Sequence, residues 1–162
     1  ALILLNYILG ESQISSRLAQ ELREKNALVY GFGSGLQLDR DTNVGALSIS
    51  ANYTSGRSAQ VSASIHKVLN DLLKNGVTQQ ELEAAKADIM KKRVTALEDE
   101  RNIHGMLNLQ LEYGKTFQDR VRHDQELTKL TVADVNAAIK KYIKPEHLVE
   151  VMADQYGQAA KK

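Results

Sequence analysis

The chain has 162 residues, enough for one domain, and 43% of them are hydrophobic, enough for a core. Lysine and arginine total 21 against 20 acidic residues, so the net charge of +1 gives no case for nucleic-acid binding, which needs a clustered basic face. The absence of cysteine excludes disulfides and thiolate catalysis, and the longest purely apolar run, residues 1–5, is far shorter than a membrane span.

The first ten residues predict a short buried helix. Apolar side chains at positions 2, 5, 8 and 9 follow helical spacing, and Gly10 is expected to end the helix as its C′ residue. Natural first residues are usually polar and loosely held, whereas this chain starts inside an apolar segment and without Met. We therefore expect a fragment of a longer polypeptide, with any targeting signal upstream.

A second helix is predicted over roughly residues 15–25. Ser15 or Ser16 can cap its N-terminus, and Leu18 and Leu22 would form its inner face. The capping choice between the two serines stays open at this point.

Two strands follow, over residues 28–36 and 46–53, and their alternating patterns predict an antiparallel hairpin. The polar residues 39–43 would form the turn between them. In the first strand, side chains at positions 28, 30, 32 and 34 share one predicted face. Glycines at positions 31, 33 and 35 share the other face, where another backbone or a ligand can come close.

The remainder of the chain is mainly helical in its pattern. Helix starts are predicted at Thr78, by a capping box with Glu81, and at Thr131, by a cap. Helix ends are predicted at Gly76, at Gly114 and before Pro145, and a bend is predicted near residues 98–101. The predicted helices are 58–74, the segment from 79 to about 96, the segment ending at 113, 117–127 and the segment reaching Tyr142.

A last strand is predicted over residues 148–152, followed by a disordered tail at 155–162. We thus expect a single domain over residues 1–154. The alternation of helices with a few antiparallel strands predicts an α+β two-layer sandwich, in which helices pack on one face of a mainly antiparallel sheet.

No self-sufficient active site is visible in the sequence. The glycines of residues 31–35 lack the third glycine and the strand-to-helix context of a dinucleotide site. The segment from His123 to Glu126 has half of an inverted zinc motif, but Leu127 stands where the second histidine is needed. We therefore expect neither catalytic residues nor metal ligands in this chain, and surface positions for its four histidines.

One pair of side chains could carry chemistry. Arg23 falls in the last turn of the second helix and Tyr30 just inside the following strand, so the reversal between them can bring both to one surface. A guanidinium and a phenol suit a peptide carbonyl whose oxygen gains negative charge. The structural alternative is that Arg23 satisfies the helix C-terminus and Tyr30 packs in the sheet. From the residues alone, the structural alternative is favoured.

The same region resembles the C-terminal, zinc-free domains of pitrilysin-type (inverzincin) zinc metallopeptidases. The resemblance is carried by Asn-Tyr-Ile-Leu-Gly ending at Gly10, Ser-Ser-Arg-Leu ending at Leu18, Leu-Arg-Glu-Lys ending at Lys25 and Leu-Val-Tyr ending at Tyr30. The segment from Thr78 to Lys86 and the region after residue 133 extend it over nearly the whole chain.

The resemblance implies a substrate-positioning domain. Arg23 and Tyr30 would bind a peptide or protein substrate near the scissile bond, while zinc would be held by an upstream domain of the same polypeptide, not by this chain. A periplasmic location is implied in the same way. The family domain usually begins with one or two strands before the first helix, so we also expect an exposed sheet edge that favours altered oligomerisation or modest stability.

Two other hypotheses remain at the level of sequence. The first is a non-catalytic scaffold or partner-binding domain of the same fold, although a pure scaffold has no need of both Arg23 and Tyr30. The second is an unrelated helical binding module, which the alternating strands at 28–36 and 46–53 disfavour.

Overall fold

A computed structural model describes residues 1–38 and 44–154. The predicted turn at 39–43 and the predicted disordered tail at 155–162 lie outside the described residues. The first helix is α1 (Leu2–Asn6), which Tyr7–Glu11 continue in π geometry, and the second covers residues 17–25, with π geometry over Ala19–Lys25; this second helix is hereafter called the motif helix. The strands β1 (Val29–Leu38) and β2 (Gly45–Tyr53) follow. The remaining helices are α2 (Ser58–Asn75), α3 (Gln79–Thr95), α4 (Glu100–Tyr113), α5 (Phe117–Lys129) and α6 (Val132–Tyr142), with 3₁₀ turns at Ala96–Glu98 and Pro145–His147.

Gly10 does not end the first helix, contrary to expectation. The helix continues to Glu11, and Ser12 is the first extended residue. Gly10 is buried, and a Cβ atom placed on it would lie 2.5 Å from Cδ1 of Leu18. The glycine is therefore needed for the close approach of α1 to the motif helix rather than for a helix stop.

The motif helix begins at a serine cap. The Ser16 hydroxyl accepts a hydrogen bond from the Ala19 backbone N–H at 3.2 Å, which satisfies one of the amides left unpaired in the first turn. Ser15 instead interacts with Ser12, through its N–H at 3.2 Å and its hydroxyl at 2.7 Å. The structure thus chooses Ser16 as the cap.

The hairpin is confirmed, and β1 pairs with β2 in antiparallel register, with Phe32 opposite Ala51. Alternation of half-buried and exposed side chains along β2 is as predicted. In β1 the alternation fails at Tyr30, because a bulge between Val29 and Gly31 leaves Tyr30 without a partner. Tyr30 is consequently 74% exposed while Phe32, predicted on the same face, is 7% exposed.

The predicted last strand is wrong. Residues 148–152 have no strand pairing, and the sheet of the described residues consists of β1 and β2. Side-chain contacts hold the segment instead: Glu150 lies 3.3 Å from His66, the Tyr53 hydroxyl donates to the Ala153 carbonyl at 3.3 Å, and Asp154 accepts from the Ser55 hydroxyl at 2.7 Å. A strand-forming sequence needs a neighbour in register, and β2 pairs only with β1 here.

The fold class is confirmed as helices packed against one face of an antiparallel sheet. The core joins α1, the motif helix, α2, α3, α5 and α6 to the inner face of the hairpin; its fully buried members include Leu4, Leu9, Leu18, Leu22, Leu72, Leu82 and Val135. None of the fourteen residues of α4 is buried. Of the helices in the described part of the chain, none is both long and apolar enough to cross a membrane.

Capping boxes begin three of the helices. The predicted box at Thr78 is present, and the predicted cap at Thr131 is also a box, each with its N3 carboxylate accepting from the cap backbone N–H. A third box, at Thr116 with Asp119, starts α5 and was not predicted. These reciprocal bonds explain why helix starts in this chain can be located from sequence alone.

Gly76 ends α2 with a backbone conformation that other residues avoid. Its φ of 70° and ψ of −162° lie in a region populated almost only by glycine. A Cβ atom there would lie 2.5 Å from Oδ1 of Asn136, the atom that accepts a hydrogen bond from the Val77 N–H.

We expect Gly76→Ala to lower the free energy of unfolding by about 2 kcal/mol, from backbone strain and displacement of Asn136. Gly105→Ala is the matched control, because Gly105 lies within α4 and a Cβ atom there meets nothing within 4 Å. Urea unfolding of both variants measures the effect. A Gly76→Ala midpoint equal to that of the natural sequence would contradict the argument.

Candidate functional site

The candidate site is the corner where the motif helix turns into β1. Ala27, in the left-handed region with φ of 46°, makes the turn, and the Leu28 N–H donates to the Leu22 carbonyl at 2.8 Å. The Asn26 side chain donates to the Glu21 carbonyl at 2.7 Å and so satisfies a carbonyl near the helix end. The corner is thus held by local hydrogen bonds, and it delivers Arg23 and Tyr30 a few residues apart on either side.

Arg23 is exposed, and its guanidinium is held from two sides. The guanidinium carbon lies 5.1 Å from the centroid of the Phe32 ring, a cation–π distance. Its Nη1 donates to the Gln13 carbonyl at 3.3 Å. Arg23 therefore contacts Gln13 and Phe32. The structural alternative, in which Arg23 satisfies the C-terminus of its own helix, is not what the structure has.

Tyr30 projects from the bulge at the start of β1. The residue is 74% exposed, and its hydroxyl has no hydrogen-bond partner among the described residues. The structural alternative, in which Tyr30 packs in the sheet, is not what the structure has. The corner presents a guanidinium and an unengaged phenol to solvent, two donors that can serve a carbonyl oxygen.

Arg17, the arginine of the Ser-Ser-Arg-Leu segment, was not predicted to have a role. Its side chain is only 13% exposed and forms a two-point ion pair with Glu81, with Nε–Oε1 at 2.7 Å and Nη2–Oε2 at 2.9 Å. It also reaches Asp71 at 2.9 Å and donates to the Gly76 carbonyl at 2.6 Å. Arg17 thereby ties the motif helix to the end of α2 and the start of α3.

This network biases both partners toward their charged forms. The hydrogen bond to Glu81 raises the pKa of Arg17 above its ordinary range. Burial of Glu81 opposes ionisation, but hydrogen bonds from Arg17 and from Thr78 outweigh it and lower the pKa of the carboxyl. In the sequence, Glu81 was recognised as a member of the capping box, and its ion pair with Arg17 was not predicted.

A second ion pair, one turn further along the same face of the motif helix, also joins it to α2. Glu21 is buried, and its carboxylate accepts from the Lys67 ammonium of α2 at 2.7 Å and from the Asn26 amide at 3.2 Å. The Lys67 hydrogen bond lowers the pKa of Glu21. Because Asn26 belongs to the corner, this pair couples the position of the corner to α2.

The described residues do not fit a metal site. Among residues 1–38 and 44–154, no three histidine, aspartate or glutamate side chains converge as a metal would require. His66 lies 3.3 Å from the Glu150 carboxylate and His104 lies 3.4 Å from the Asn108 amide. His123 lines a cavity beside α4, and His147 lies in the 3₁₀ turn after Pro145.

Comparisons with known proteins place this geometry in context. A family model described as the peptidase M16 inactive domain matches residues 1–89. An uncharacterized zinc protease of Mycobacterium leprae is 36% identical over 139 residues, which is 85% of this chain and 30% of that protein. The chain spans about a third of the length of the curated relatives it matches, between 30% and 36%.

Solved structures match as well. The peptidase M16 inactive domain from Pseudomonas fluorescens gives a TM-score of 0.73 at 29% identity, covering 87% of this chain and 33% of that one. The periplasmic protease PqqL from Escherichia coli gives a TM-score of 0.67 at 18% identity, covering 88% of this chain and 16% of that one. At that identity the likeness to PqqL is one of fold alone.

Proposed function

This chain belongs to the peptidase M16 inactive-domain family, and on that basis we propose that it is the substrate-positioning domain of a zinc-dependent endopeptidase. The family match confirms the resemblance seen in the motifs at residues 6–10, 15–18, 22–25 and 28–30. The curated relatives are named zinc proteases, and each is about three times as long as the matched region. The zinc and the bond cleavage are assigned in this proposal to another domain of the same polypeptide, and the location to the periplasm.

The observation that supports the proposal is the exposed pair on the supported corner. Arg23 offers a charged planar donor, held in place by Gln13 and Phe32 yet exposed to solvent, and Tyr30 offers a neutral hydroxyl donor that is also exposed. A peptide carbonyl gains negative charge when it is attacked, so donors that are already in place lower the barrier. The domain would hold the peptide and orient its carbonyl while supplying no nucleophile of its own.

Zinc enters this proposal only through the other domain, where it would activate the attacking water. The residues described here do not converge as ligands, as their separate partners show. Everything assigned to this chain is therefore binding and orientation: the guanidinium and the phenol contact the carbonyl, and the two ion pairs of the motif helix keep the corner from shifting.

A second candidate function is a partner-binding domain of the same fold. It is favoured by the apolar side chains that α4 and the start of α5 leave exposed: Leu107, Leu109, Leu111, Tyr113, Phe117 and Val121. Exposed apolar surface of this extent is typical of faces that contact other protein. In the full-length protein, the partner would be another domain of the same polypeptide, so this function can accompany substrate positioning.

Site-specific photocrosslinking tests the first candidate. A benzoylphenylalanine placed at position 30 of the full-length protein, made unable to cleave by removal of its zinc, should form a covalent adduct with a bound peptide. The same probe at Tyr142, which is 54% exposed on α6, is the matched control. We expect the adduct at position 30 and none at position 142.

The two candidates give different outcomes in this experiment. Adduct at position 30 that an excess of unlabelled peptide suppresses supports substrate positioning. Absence of any peptide adduct at position 30, with intact peptide binding by the full-length protein, would leave only the partner-binding function.

A further inference from the structure

We propose that Gln13 is a positioning residue for Arg23, joining the guanidinium to the strand that carries Tyr30. This inference rests on the proposed function, because it matters for cleavage only if Arg23 contacts substrate. Gln13 lies in the short loop between α1 and the motif helix, outside the segments that carry the family resemblance, and nothing in its sequence context drew attention to it.

Gln13 makes one contact with each side of the corner. Its backbone carbonyl accepts from Nη1 of Arg23 at 3.3 Å. Its side-chain Nε2 donates to the Phe32 carbonyl at 3.1 Å. Phe32 in turn lies beneath the guanidinium, so Arg23, Gln13 and Phe32 form a closed triangle of contacts.

The side chain of Gln13 is what fixes its own carbonyl. Ser12 and Ser15, which lie on either side of the carbonyl, contact each other, and the Ser12 N–H donates to the Tyr7 carbonyl, but none of these contacts reaches β1. The bond from Nε2 to Phe32 is the contact that couples the loop to the strand. Without it, the acceptor for Arg23 is free to move relative to Tyr30.

The consequence is catalytic rather than structural. Gln13 is exposed, so its replacement removes little buried surface and should leave the thermal midpoint within about 2 °C, as for most surface substitutions. A guanidinium that must be ordered during the reaction, however, loses part of the advantage of prior positioning. We expect Gln13→Ala to lower kcat about tenfold, with KM changed less than twofold.

Two variants and one control separate the side-chain hydrogen bond from general disturbance. Gln13→Ala removes the side chain, and Gln13→Met keeps its length but cannot donate to Phe32. Gln20→Ala replaces another exposed glutamine, on the motif helix itself, as the control. All three are made in the full-length protein.

The direct measurement is the mobility of the Arg23 side chain, followed by NMR of the arginine Nε–H groups. Gln13→Ala and Gln13→Met should both lower the ¹⁵N order parameter of the Arg23 Nε–H, by about 0.2, because the guanidinium loses its fixed acceptor for Nη1. Gln20→Ala should not. An unchanged order parameter in both Gln13 variants would overturn the inference, whatever the cleavage rates.

Cleavage kinetics then separate this inference from the proposed function. Reduced kcat in both Gln13 variants, alongside reduced kcat in Arg23→Ala, supports both. Full activity of the Gln13 variants with a slow Arg23→Ala overturns only the positioning role. Full activity of Arg23→Ala overturns the proposed function, and the catalytic role of Gln13 with it.

Discussion

Replacing Arg17 with alanine should lower the free energy of unfolding by about 3 kcal/mol or more, the largest effect on stability that we expect from one exchange at a charged position. The variant leaves Glu81 partly buried without its two-point partner, and the Gly76 carbonyl without its donor. Removing one member of a buried ion pair costs more than the pair contributes, because the remaining charge stays desolvated. Urea unfolding followed by circular dichroism measures the loss.

Two control variants define how the Arg17 effect arises. Arg101→Ala breaks an ion pair with Asp99 on a side chain that is 92% exposed, and should cost no more than about 0.5 kcal/mol. Arg17→Lys keeps the charge but loses the two-point geometry, so its stability should fall between those of the natural sequence and Arg17→Ala. If Arg17→Ala and Arg101→Ala unfolded at the same urea concentration, the proposed tie between the motif helix and α3 would be wrong.

The largest effect on activity is expected from the exposed pair at the corner. In the full-length protein, Arg23→Ala and Tyr30→Phe should each lower turnover, by about 100-fold for the arginine and up to that amount for the tyrosine, as when an oxyanion donor is lost. The reason is that a donor aimed at a developing negative charge acts mainly in the transition state. Steady-state cleavage of a fluorogenic peptide measures both variants.

The controls for the corner use the same exchanges elsewhere on the surface. Arg122→Ala and Tyr142→Phe replace exposed residues of α5 and α6, and should leave turnover unchanged. Zinc content, measured by atomic absorption, should equal that of the natural protein in all four variants, because the metal lies elsewhere in the proposal. Normal turnover in both Arg23→Ala and Tyr30→Phe would remove the assigned role from this chain.

The helical part of the fold could be predicted because its signals are local. A Thr followed three residues later by an acidic residue forms its capping box from bonds inside a single turn, as at Thr78 and Thr131. Glycine stops at residues 76 and 114 work the same way, since their positive φ values suit no other residue as well. Such features depend on neighbours in sequence, which a single sequence contains.

The errors concern features that depend on distant parts of the chain. Gly10 was predicted to end the first helix, but a glycine is needed there because the Leu18 side chain of the motif helix lies too close for a Cβ atom. Residues 148–152 have the composition of a strand, yet a strand forms only against a partner, which the described sheet does not provide. No residue type in β1 marks the bulge at Tyr30, because the bulge arises from the register in which β1 pairs with β2.

The candidate site shows the same difference between local features and long-range contacts. Arg23 and Tyr30 were singled out because they lie on either side of a predicted corner in a segment that resembles the family, and their role stays a prediction. Arg17 and Gln13 were missed because their partners, Glu81 and Phe32, lie on other elements. Support for a site is thus harder to predict than the site's exposed groups, since support is made of long-range contacts.

The absence of any buried residue in α4 implies two tiers of stability within one domain. A helix that contributes no buried residue to the core can unwind with little loss of buried apolar surface, since its apolar side chains are at most half-buried. Its amide protons should therefore exchange with solvent long before those of α2 and α3. In the isolated chain, a proteolytic nick would therefore fall in α4 first, and the remaining core would survive it. Docking of α4 on a neighbouring domain would raise its protection to that of the rest.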